Sequence, residues 1–83
     1  MNLHILVFPN GRVSPWKVEV FTSRDKMVKR KIDIKRTHNV AYMFPPVEIG
    51  RSVEGIIRIS QLVDNIHCRG PVAVLEEMEN GDD

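Results

Sequence analysis

His4, His38, His67 and Cys68 are the side chains of this chain best suited to nucleophilic or metal chemistry. Cys68 follows His67 directly, but a thiolate nucleophile needs its base across space, and neighbours on a helix point in different directions. The pair reads instead as a semi-buried cysteine beside a helix-terminal histidine. The three histidines and the cysteine are metal-ligand types, yet none of their spacings gives a Cys-x-x-Cys or His-x-x-x-His framework. Gly50 and Gly55 lack the Lys-Ser or Lys-Thr that completes a phosphate-cradling loop. No carboxylate pair stands out for acid–base work. The expectation is a non-enzymatic protein without metal or cofactor.

The remaining chemistry is charge. A formal net charge of +1 conceals a strong asymmetry. Residues 24 to 36 carry Arg24, Lys26, Lys29, Arg30, Lys31, Lys35 and Arg36 against Asp25 and Asp33. The end of the chain carries Glu76, Glu77, Glu79, Asp82 and Asp83 with no base. A basic block with an acidic appendage is the footprint expected for nucleic acid, because cations that neutralise phosphates release counterions. Arg24 and Lys26 are candidates for base edges. Lys29, Arg30, Lys35 and Arg36 are candidates for phosphates, which position without specifying. Arg51, after Gly50, is a candidate for a narrow minor groove. The plain alternative is a solvated charged element with a frayed terminus.

At 83 residues the chain is expected to be one small domain over 1–75, followed by a mobile acidic tail over 76–83. The apolar fraction of 42% is ordinary for a globular protein. No apolar run approaches the roughly 18 residues of a membrane span. The opening Met-Asn-Leu-His-Ile-Leu-Val-Phe does not read as a secretory signal. A single cysteine suits a reducing compartment, so a cytoplasmic protein is expected.

Short elements must position these charges. Leu3 to Phe8 reads as a buried strand and Asn10-Gly11 as a hairpin turn. Trp16, Val18 and Val20 alternate with Lys17 and Glu19 as a half-buried return strand should; Ser14-Pro15 offers a competing helix start. Thr22 and Asp25 have capping-box spacing for a helix from Arg24 to about Ile32. That helix would set Met27, Val28 and Ile32 on one flank, with Lys31 snorkelling. The rival for the same stretch is a strand over 28–34, or a switch from helix to strand near Ile32. Val40 to Phe44 reads as a short strand leading to Pro45-Pro46, an extended entry that joins no helix interior or central strand. Ile56 to Ile59 can be a further strand. Ser60 would then cap a helix to His67, with Leu62, Val63 and Ile66 inward and Gly70 as its stop. Pro71 to Met78 is a last strand or a short helix docked by Val72, Leu75 and Met78.

The run from Phe44 to Ile66 resembles the wing and following helix of excisionase-type winged-helix proteins of temperate phages and other mobile elements. Phe44, Pro45, Pro46, Val47, Ile49, Gly50 and Arg51 carry the first part of that likeness, and Arg58, Ser60, Gln61, Leu62 and Ile66 the second. Glu48, Ile56 and Asn65 depart from it. The resemblance implies a winged-helix-like α+β fold, with a β-hairpin or wing and one or two short helices, and a short helix near Ser14-Pro15. It also implies a DNA-binding regulator that binds repeated sites, bends duplex DNA and assists a recombinase. The alternative is a phage-type protein-binding module or inhibitor of a host protein with a β-hairpin core. In that case Phe8, Trp16 and Phe21 would form the contact or a homodimer seam.

Overall fold

The computed structural model describes residues 2–9, 15–38, 40–50 and 53–80. Its organising element is β1 (Asn2–Pro9), whose middle residues Ile5, Leu6, Val7 and Phe8 are all buried. Side chains alternate across a strand, so a continuous buried run requires cover on both faces. Ile5 and Val7 enter one core with Phe44, Val47, Ile66 and Val74. Leu6 and Phe8 enter another with Met27 and Ile34. The result is a small single α+β domain in three layers, with an antiparallel sheet between helices.

On one side β1 pairs with β2 (Trp16–Phe21), from His4 opposite Phe21 to Pro9 opposite Trp16. The strand reading of this segment holds, and the helix that the resemblance implies here is absent among the described residues. The Asn10-Gly11 turn lies outside them. On the other side β1 pairs first with β3 (Tyr42–Met43), then with β4 (Val47–Glu48). Met43 faces Leu6 and Val47 faces Leu3, so three residues, 44–46, oppose only His4 and Ile5. That extra residue is a β-bulge. The Phe44 amide still donates to the Ile5 carbonyl at 2.9 Å, while Pro45 and Pro46 have no amide to offer.

Helix α1 (Arg24–Thr37) covers the Leu6/Phe8 face. It runs past Ile32 without becoming a strand, because Met27 and Ile34, two turns apart, both reach that face. Ile32, expected inward, is 53% exposed. The expected capping box does not form. The cap is Ser23, without a side-chain bond to the helix, which leaves Thr22 and Asp25 out of the required spacing.

Helices α2 (Val53–Arg69) and α3 (Pro71–Asn80) cover the other face. Residues 56–59 belong to α2, not to a wing strand. Gly55, Ile59, Leu62 and Ile66 recur at i, i+4, i+7 and i+11, a helical stripe that meets the sheet only if the whole segment is helical. Gly55 lets the helix pass close to Ile49, whose Cβ would lie 3.1 Å from an added methyl. Gly70 ends α2 at φ +87°, with its amide bonded to the Ile66 carbonyl. Pro71 opens α3 where a missing amide costs nothing. α3 docks through Pro71, Val74, Leu75 and Met78, while Val72, expected inward, is exposed. Glu76, Glu77 and Glu79 therefore sit on this helix.

Candidate nucleic-acid interface

Six of the seven expected contact residues, Arg24, Lys26, Lys29, Arg30, Lys35 and Arg36, lie on α1 and all six are exposed. The seventh, Arg51, lies outside the described residues. Helical spacing sorts the α1 cations into two rows. Lys26, Lys29 and Arg36 form one, with Asp33 among them and 3.9 Å from Arg36. Arg24, Lys31 and Lys35 form the other, at i, i+7 and i+11. Val28 and Ile32 lie between the rows. Lys35 and Arg36 also sit on the last turn, where the helix dipole favours positive charge.

Arg30 is engaged within the domain. Its guanidinium grips both carboxylate oxygens of Glu19 on β2, at 2.9 and 3.4 Å, and lies 5.9 Å from the Phe8 ring centroid. His38 meets that ring at 5.7 Å, edge to face. The hydrogen bond to Glu19, and next its charge, hold the Arg30 guanidinium above its ordinary range; slight desolvation opposes them and Asp33 adds to them. Arg30 thus ties α1 to β2, leaving its fork less free for phosphate.

Arg24 also has local company. With His4, Pro45, Pro46 and Glu79 it lines a cleft of about 360 Å³ at one end of the sheet. Across the molecule Arg69 pairs with Glu77, stitching α2 to α3. Among the described residues Lys26, Lys29 and Lys35 make no ion pair closer than 4.0 Å.

Two features were missed by sequence reasoning. The Glu19–Arg30 pair joins residues on different elements, and nothing in the local pattern marks it. The second is an apolar stripe on the outer face of α2, where Val53, Ile56 and Ile57 are 69%, 65% and 50% exposed. Their helical spacing was legible, but a strand assignment for 56–59 hid it. Phe8, Trp16 and Phe21, considered as an outward apolar patch, instead pack into the two cores. Cys68 is exposed, and no three His, Cys, Asp or Glu side chains converge among the described residues. No helix among them is long and apolar enough to cross a membrane. No family model, curated protein or solved structure matches the chain.

Proposed function

We propose that this is a small cytoplasmic, non-enzymatic DNA-binding protein that contacts duplex DNA through α1. The supporting observation is the pair of cationic rows, Lys26/Lys29/Arg36 and Arg24/Lys31/Lys35, flanking Val28 and Ile32 along one helix, with all of these exposed except the half-buried Val28 and Lys31. A helix so decorated suits a groove in which each row meets one phosphate ribbon and the apolar strip lies between. The regulatory role beside a recombinase follows the excisionase-type resemblance and uses the same surface.

Fluorescence anisotropy with a labelled duplex tests the proposal. Four or five phosphate contacts give a slope of log affinity against log salt of about −4. Replacing Lys26, Lys29, Lys35 and Arg36 together with Gln should remove most of that slope. Binding that is absent at low salt, or insensitive to salt, refutes the reading.

The exposed stripe Val53/Ile56/Ile57 favours a second reading, a protein-binding module that uses α2. On that reading Ile56→Glu abolishes partner capture, while the four α1 replacements leave it intact.

A further inference from the structure

The two outer edges of the sheet differ. Along the edge built from β3 and β4, Pro45 and Pro46 interrupt the ladder with a bulge. Both devices block the addition of another strand. The β2 edge has neither: six consecutive residues pair regularly with β1, without proline, glycine or bulge. No strand covers its outer side among the described residues, and Val20 is 45% exposed.

We infer that β2 pairs antiparallel with β2 of a second copy about a two-fold axis at Val18, forming a continuous sheet across a homodimer. The pattern of β2 itself selects the register. Successive residues of a strand aim their N–H and C=O groups to alternate sides, so only every second residue offers them to the free edge. A symmetric seam must match residues of that one class, which places the axis on a residue and never between two. An axis at Lys17 sets Lys17 against itself, and one at Glu19 sets Glu19 against itself; like charges directly opposite are unfavourable. An axis at Val20 leaves Glu19 against Phe21 and uses only half the strand. The axis at Val18 pairs Lys17 with Glu19 twice, Val18 with itself, and Val20 with Trp16. The charge contact lies on the α1 side, where Lys17 already stands 4.0 Å from its own Glu19.

Antiparallel edge pairing keeps both sheets the same face up. Both α1 helices therefore lie on one side of the dimer and present a two-fold cationic surface. The seam itself does not depend on α1 binding DNA, and its test contains none.

A seam one strand long is small, so dissociation is sought by sedimentation equilibrium from about 1 to 200 µM protein. The expected result is a reversible monomer–dimer equilibrium, with Lys17→Glu raising the dissociation constant at least about tenfold because Glu then faces Glu19. A register readout accompanies it in a Cys68→Ser background, since Cys68 is exposed. Val18→Cys should cross-link to itself on oxidation with diamide, and Val20→Cys should not. A monomer throughout the range overturns the inference. So does cross-linking at Val20→Cys in place of Val18→Cys. A dimer that survives Lys17→Glu but dissociates with Ile56→Glu also overturns it, because the seam is then on α2.

Discussion

The two helical layers of this domain use their surfaces in opposite ways. α1 gives the core little, Met27 and Ile34 from fourteen residues, and clothes the rest in charge. α2 gives Ile66 to the core with Ile59 and Leu62 beside it, yet leaves Val53, Ile56 and Ile57 in water. On the proposed function, the highly charged exterior of α1 is the face that does electrostatic work. On the second reading, the apolar exterior of α2 is the face that meets a protein partner. The sheet separates these two surfaces, so each can be altered alone.

The comparison is broken most severely through the core beneath α2. Ile66 is fully buried, and Ile66→Ala should cost about 2–5 kcal/mol by removing side-chain contacts and leaving a cavity. A urea midpoint unchanged from the parent would show that α2 does not anchor the fold. Next in size are the α1 charges: the fourfold Gln variant should lose at least about a hundredfold in duplex affinity at low salt, with its folding transition little moved. Arg30→Gln separates the two jobs of α1. Since Arg30 is held by Glu19, this variant should weaken DNA binding less than Lys29→Gln does, as read by anisotropy.

A smaller effect is expected at the α2–α3 corner. Gly70 sits at φ +87° and an added methyl would meet only the Trp16 indole nitrogen, at 3.9 Å. Gly70→Ala should therefore cost roughly 1–2 kcal/mol from backbone conformation alone. The smallest change is Ile56→Gln, which should shift stability by no more than about 0.5 kcal/mol in thermal unfolding, because that side chain is 65% exposed. A large loss at Ile56 would mean that the stripe is structural, and the contrast between the helices would fail.

Much of the fold is legible where local pattern and burial agree. The apolar run of β1, the alternation in Trp16–Phe21 and the glycine stop at Gly70 each act through short-range geometry. Legibility ends where two periods compete. Val28 to Ile34 alternates well enough for a strand, and Ile56 to Ile59 is rich in β-branched residues, yet both are helical. Each presents residues a helical repeat apart to a sheet face that would otherwise be wet. The seven α1 cations were legible as a set because charge is a matter of composition. Their division into two rows, and the diversion of Arg30 to Glu19, were not.

By itself the sequence determined the buried first strand, the basic segment and the glycine stop at Gly70, since these follow from residue type and near neighbours. Tertiary structure decided that the diproline is a bulge in an edge strand instead of the entry to a wing, and that Glu76, Glu77 and Glu79 lie on a docked helix. It also decided that no described strand pairs with the outer side of β2, while the opposite edge is interrupted by the bulge. The reason is physical: strand pairing and helix docking join residues far apart along the chain, and the free energy of those contacts outweighs the small local preferences that a single sequence displays.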